Sequence, residues 1–157
     1  ERRPYRSGRG RRKRTRTTGT SPAAYFTLRG DRRRNAAVLP ATGYNTALLS
    51  HRLGDRDVYS VDIHPGLIKT AREHLAEIGC HPRLSTSDGA DGWAEHAPFD
   101  RILATCAITQ IPPRWIRQLA DGGRIVAPFD AGDAGPLLVL DKTGPDEVTG
   151  RIDPYPA

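Results

Sequence analysis

Residues 36–65 read AAVLPATGYNTALLSHRLGDRDVYSVDIHP, and the fold is decided in that stretch. A short apolar run, Ala36 to Leu39, is followed after Pro40 by residues 43–53 in helical register. A second apolar run, residues 58–63, leads to Pro65, which opens another helix in the first-turn position that proline fills well. Short apolar runs alternating with helical patterns mark βαβ units and a parallel sheet. In the first helix Tyr44, Ala47 and Leu48 are expected to share the inner face. In the second, Ile68, Ala71, Leu75 and Ile78 recur at steps of three, four and three. That spacing predicts one apolar stripe, closed by Gly79 as the C′ residue.

The alternation continues outward from this unit. Residues 84–86 suggest a third, short strand, and residues 99–105 a fourth that is apolar enough to be central. Pro112 and Pro113 start a helix carrying Trp115, Ile116 and Leu119. Gly122 and Gly123 are expected to end it and lead into a strand at 124–127. Residues 137–140 and 148–152 supply outer strands joined only by a loop, hence an antiparallel hairpin. The fold class is therefore α/β: a Rossmann-like, doubly wound, mostly parallel sheet with an antiparallel edge, spanning residues 35–157.

Charge divides the 157 residues differently. The net +6 conceals an arm, residues 1–34, that holds thirteen of the twenty-four Lys and Arg and two of the eighteen Asp and Glu. The remainder carries eleven basic and sixteen acidic residues, so a basic arm joins an acidic body. Residues 1–20 have no periodicity and little apolar content, and the arm is expected to be disordered. Basic arms bind phosphate backbones. Here, however, arginine outnumbers lysine twenty-one to three, and Tyr5 alone offers a base a stacking surface in residues 1–20. Nucleic-acid binding is the weaker reading, because Arg, Pro, Gly and Thr also crowd together when GC-rich coding sequence is translated out of frame. No stretch approaches the roughly 18 apolar residues of a membrane helix, and no apolar segment follows the N-terminal charge as in a secretory signal. A cytoplasmic monomer with no membrane partner is expected. Cys80 and Cys106 fit no disulfide or metal spacing and read as buried reduced thiols. The five histidines are scattered, so no metal site is expected.

In a doubly wound sheet the ligand lies beyond the carboxyl ends of the strands, beside the first one. Asp62 closes the second strand, where a carboxylate can accept hydrogen bonds from both hydroxyls of a ribose. The same place also suits a helix-capping acid. Asp88 lies in Ser87-Asp88-Gly89-Ala90-Asp91-Gly92, where it could accept from an adenine amino group while Gly89 allows a tight turn, although Asp-Gly is also a plain turn signal. The first turn, Pro40-Ala41-Thr42-Gly43-Tyr44, has a single glycine where such a site wants several.

Taken together, Thr42-Gly43-Tyr44-Asn45-Thr46-Ala47-Leu48-Leu49, Val58-Tyr59-Ser60-Val61-Asp62, the Ser87–Gly92 segment and Phe99-Asp100-Arg101-Ile102-Leu103-Ala104-Thr105 resemble the protein-L-isoaspartate O-methyltransferase family. Its Ile-Pro, Gln-Leu, Gly-Gly-Arg and Val-x-Pro pattern is matched in order by Ile111-Pro112, Gln118-Leu119, Gly122-Gly123-Arg124 and Val126-Ala127-Pro128. The resemblance covers residues 36–141. It implies a sheet that binds S-adenosylmethionine, with Asp62 on the ribose, Asp88 and Gly89 near the adenine, and Thr42, Gly43 and Tyr44 beside the methionine moiety. It further implies methyl transfer to an isoaspartyl carboxylate of a protein or peptide. That oxygen is already anionic, so alignment and exclusion of water matter more than a strong base. The chain departs from the pattern where the family has Val-Leu-acid-aliphatic-Gly-x-Gly-x-Gly-Tyr. Val38-Leu39 is followed only by Pro40 and Ala41 before Thr42-Gly43-Tyr44, a shortening of roughly 10 Å of contour at about 3.3 Å per residue. Impaired activity is the consequence expected. The family's upstream Ser-x-Pro segment has only Thr20-Ser21-Pro22 as counterpart, and no residue is assigned a catalytic role. A non-catalytic methyltransferase-like binding module and a basic-armed nucleic-acid binder are the alternatives.

Overall fold

The computed structural model describes residues 36–39, 43–130 and 135–153. The expectations for the arm at 1–34, and for Pro40, Ala41 and Thr42, lie outside the described residues. The strands are β1 (Ala36–Leu39), β2 (Val58–Asp62), β3 (Arg83–Thr86), β4 (Phe99–Ala104), β5 (Leu119–Pro128), β6 (Leu137–Gly144) and β7 (Glu147–Asp153). The helices are α1 (Tyr44–Leu53), α2 (Pro65–Glu77) and α3 (Pro113–Gln118). One sheet runs in the order β3-β2-β1-β4-β5-β6-β7. The pairs from β3 to β5 are parallel, whereas β5–β6 and β6–β7 are antiparallel. This is the doubly wound sheet with an antiparallel edge that the sequence predicts.

Every residue of β2 is buried, as a parallel strand covered on both faces requires. Its alternate side chains serve different cores. Tyr59 and Val61 pack with Phe99, Ile102, Ala104, Trp115 and Leu119. Val58 packs with Leu49, Leu103 and Val126 on the α1 side. The α2 stripe is buried at Ile68, Ala71 and Leu75. The helix closes with two backbone bonds, Cys80 N–H to Leu75 C=O at 2.8 Å and Gly79 N–H to Ala76 C=O at 3.0 Å. That pairing is the Schellman pattern, with Gly79 at C′ as expected.

Three local expectations are corrected. The inner face of α1 is Thr46, Leu49 and Ser50, while Tyr44 and Leu48 are exposed and Ala47 is half-buried. Thr46 can face inward because its Oγ1 donates to Ser60 Oγ on β2 at 3.2 Å, within the buried layer, whereas Ser50 Oγ is buried with no hydrogen-bond partner among the described residues. Ile78 is 64% exposed, because the chain turns out of the helix at that residue. The third helix ends at Gln118, not at Gly122, because Leu119 already pairs with Phe99. Pairing resumes with Arg101 and Arg124, so residues 120–123 form an irregularity within β5.

Across the β5–β6 pair, Arg124 holds Asp141 in a two-pronged bond, Nε to Oδ1 at 2.6 Å and an η nitrogen to Oδ2 at 2.9 Å. The Arg124 guanidinium holds the Asp141 carboxyl below its ordinary range. A depressed folded-state value means that the pair's stabilisation is present above the unfolded carboxyl's titration and is lost as pH falls through the folded value. Asp141 is 45% exposed in its side chain, so solvent keeps the contribution under about 1 kcal/mol. In urea titrations, the parent is expected to lose more stability between neutral pH and about pH 3 than Asp141→Asn does.

Candidate functional site

Parallel pairing brings the carboxyl ends of β1, β2, β3 and β4 to one edge of the sheet. Asp62 ends β2 there and is 4% exposed. Its Oδ1 accepts from the His64 backbone N–H at 2.8 Å, an Asx turn that leads into α2, for which His64 is the N-cap. Asp88 repeats the device after β3, its Oδ1 accepting from Ala90 N–H at 2.9 Å. Each acid thus caps a turn with one oxygen, and the other oxygen takes no hydrogen bond among the described residues. Capping and ligand-holding do not exclude each other at either position. A backbone bond from Ser87 N–H to the Asp62 carbonyl, 3.0 Å, fixes the two segments side by side.

Gly43 caps the start of α1 with φ +84°, a backbone conformation that L side chains rarely adopt. It is buried, and a Cβ there would lie 3.7 Å from the Ala71 Cβ, ordinary contact distance. The backbone angle rather than space therefore selects glycine. Gly43→Ala is expected to cost about 1–3 kcal/mol of stability, read as a lowered melting midpoint. Tyr44 is 65% exposed at the same helix start. The amide oxygen of Asn45 is buried there with no hydrogen-bond partner among the described residues.

The loop that follows Asp88 is held from across the molecule. Gly89 opens a short 3-10 turn, Gly89–Asp91, whose own residues are not buried. Trp115 Nε1 donates to the Gly89 carbonyl at 2.8 Å. Gln118 Nε2 donates to the Asp91 carbonyl at 2.8 Å, and its Oε1 accepts from Trp93 N–H at 2.9 Å. Gly92, with φ +65°, passes so close to Gln118 that a Cβ would collide with the amide oxygen. Arg114 pairs with Asp91 at 2.9 Å. The Ile-Pro to Gln-Leu pattern flags this segment in the sequence, but gives no hint of the loop it grips.

Both cysteines are free, and the expectation of burial is corrected: Cys80 is half-buried and Cys106 exposed. Cys106 follows β4, at the edge where the carboxyl ends of the parallel strands lie. Desolvation of the thiol, with a smaller push from the Asp62 charge, raises its pKa. Among the described residues no cluster of three metal-binding side chains occurs, and no helix is long and apolar enough to cross a membrane. Two shallow cavities lie away from these acids, one of about 160 Å³ bounded by Arg72, His81 and Leu84, the other of about 300 Å³ bounded by Asp121, Lys142 and Pro145.

A doubly wound sheet with an acid closing β2 and a second acid after β3 gives the chain a Rossmann-like fold. Solved structures agree with that class. A protein-L-isoaspartate O-methyltransferase superposes with a TM-score of 0.64 at 24% identity, covering 80% of this chain and 42% of that one. A Plasmodium falciparum structure described as a protein of the same kind, in complex with S-adenosyl-L-homocysteine, also gives 0.64, at 14% identity over 78% of this chain and 63% of that one. Within the class, residues 33–153 match the model of the protein-L-isoaspartate(D-aspartate) O-methyltransferase family, and the chain belongs to that family. A relative of that name from Anaeromyxobacter dehalogenans strain 2CP-1 is 42% identical over 117 residues, 73% of this chain and 55% of the relative. Another from Methylorubrum populi is 39% identical over 109 residues, 69% of this chain and 50% of the relative. The chain spans about half the length of the curated relatives it matches.

Proposed function

We propose that residues 35–157 form an S-adenosylmethionine-binding carboxyl O-methyltransferase domain acting on isoaspartyl residues of proteins or peptides. The observation that carries this reading is the Asp62–Asp88 pair of Asx turns. Two carboxylates, tied together through the Ser87–Asp62 backbone bond, each keep an oxygen uncommitted at the edge where a doubly wound sheet receives its ligand. Asp62 would accept from the ribose hydroxyls and Asp88 from the adenine amino group. The turn at Thr42, Gly43 and Tyr44 would face the methionine moiety, with Gly89 beside the adenine. The donor set fits such a ligand, since ribose and adenine offer N–H and O–H donors and the two acids offer acceptors.

When bound, S-adenosylmethionine supplies an electrophilic methyl group. The chain's own part is to orient and to exclude water, because the incoming carboxylate needs no base. His64 N–H and Ala90 N–H fix the directions of the two acids before any ligand arrives. Names borne by the relatives support the substrate class. The shortened turn after β1 supports a lower activity than a full glycine motif would give. The domain is expected to work as a cytoplasmic monomer, the arm at 1–34 taking no part in the transfer. The test is incubation with S-adenosylmethionine and an isoaspartyl peptide, followed by mass spectrometry. A gain of one methyl on that peptide and none on its normal aspartyl isomer supports the reading. Ligand binding with no transfer would favour the non-catalytic module.

A further inference from the structure

The loop that carries Asp88 has little to hold it in place by itself. It follows β3, the edge strand of the sheet, and its 3-10 turn contributes no buried side chain. Such a loop ordinarily samples many arrangements. A carboxylate that must meet one amino group gains from having that freedom removed beforehand. In this chain the restraint comes from α3, a helix that lies between β4 and β5 in sequence and reaches the loop with the side chains of Arg114, Trp115 and Gln118.

Their contributions differ in kind. The Arg114–Asp91 pair is 61% and 58% exposed, and a pair so open to solvent contributes little. Trp115 and Gln118 are 3% and 7% exposed, and their three side-chain hydrogen bonds among the described residues go to loop backbone: the Gly89 carbonyl, the Asp91 carbonyl and the Trp93 N–H. These bonds are partly buried, and a buried donor or acceptor on the α3 side is costly to leave unpaired. Gly89 is the residue next to Asp88, so the Trp115 bond holds the chain one peptide away from the carboxylate. Gly92 has no side chain where one would drive Gln118 off the loop.

We propose that α3 is a clamp in which Gln118 and Trp115 are positioning residues for Asp88, setting affinity for the adenine end of the cofactor without touching it. This rests on the adenosyl reading of the site. The test is a double-mutant cycle on the whole chain, with S-adenosylhomocysteine binding measured by calorimetry and melting followed in parallel. Gln118→Met keeps the side chain's length and removes both bonds. Its affinity is expected to fall on the order of tenfold, and in an Asp88→Ala background to fall no further. Trp115→Phe, which keeps an aromatic ring and removes one donor, provides a milder second variant and should follow the same rule. If both variants fold and bind as tightly as the parent, or if their losses multiply with that of Asp88→Ala, the clamp assignment is overturned. A merely structural role would give that result, moving the melting midpoint alone. A parent chain that binds no S-adenosylhomocysteine gives a different signature. It overturns the site reading itself and the clamp with it.

Discussion

Phe99→Ala is expected to destabilise the domain by about 3–5 kcal/mol, at the upper end of what a single truncation in such a core costs. Phe99 is fully buried at the start of β4, and its ring meets Tyr59 edge-on with centroids 5.5 Å apart. Its backbone pairs with Leu119 at the point where α3 hands over to β5. Removing the ring would open a cavity that strand backbones on both sides prevent from collapsing. It would also loosen the seat of α3. A domain of this size should lose at least about 6 °C in Tm for such a change. A shift of less than about 2 °C would mean that the β2–β4–α3 core is not packed as described. With total stabilities commonly about 5–15 kcal/mol, the variant is expected to populate unfolded chains measurably at moderate temperature.

The second large effect falls on binding. Asp62→Ala should weaken S-adenosylhomocysteine by about 1–3 kcal/mol, because two ribose hydroxyls lose a charged acceptor. The substitution also deprives the His64 N–H of its partner at the start of α2, so some loss of stability must be separated from loss of affinity. Asp62→Asn serves that purpose. It retains an oxygen for the His64 N–H while removing the charge, and should melt near the parent while still binding more weakly. Equal affinity in parent and alanine variant, both folded, would assign Asp62 to capping alone.

Much of this architecture is legible in the sequence because parallel strands are buried on both faces and read as short apolar runs. Ala36–Leu39 is a strand with the bounds its residues suggest, and the α2 stripe from Ile68 to Leu75 follows from spacing alone. Local apolarity misleads where tertiary contacts overrule it. The face of α1 is turned from Tyr44 and Leu48 toward Thr46, Leu49 and Ser50, and the hydroxyl pair with Ser60 makes Thr46 acceptable inside. Leu119 continues the period of the preceding helix, but a strand partner at Phe99 claims it. At the candidate site the two acids can be named from their places after strand ends. Their shared Asx geometry cannot, nor can the grip of Gln118 on Asp91 and Trp93, which joins residues 27 and 25 positions apart. Contacts at such separations leave no periodic signal. Only the linked Ile-Pro, Gln-Leu and Gly-Gly-Arg pattern marks that region as more than a helix.

The central claim is that the sheet edge at Asp62 and Asp88 receives an adenosyl group even though the turn after β1 is short. Isothermal titration of S-adenosylhomocysteine into the 157-residue chain tests it most directly. One equivalent of ligand should bind with measurable heat that a large excess of adenosine diminishes by competition. Silence up to millimolar ligand, from a chain shown to be folded by its melting transition, would contradict the claim and leave a methyltransferase fold without its ligand.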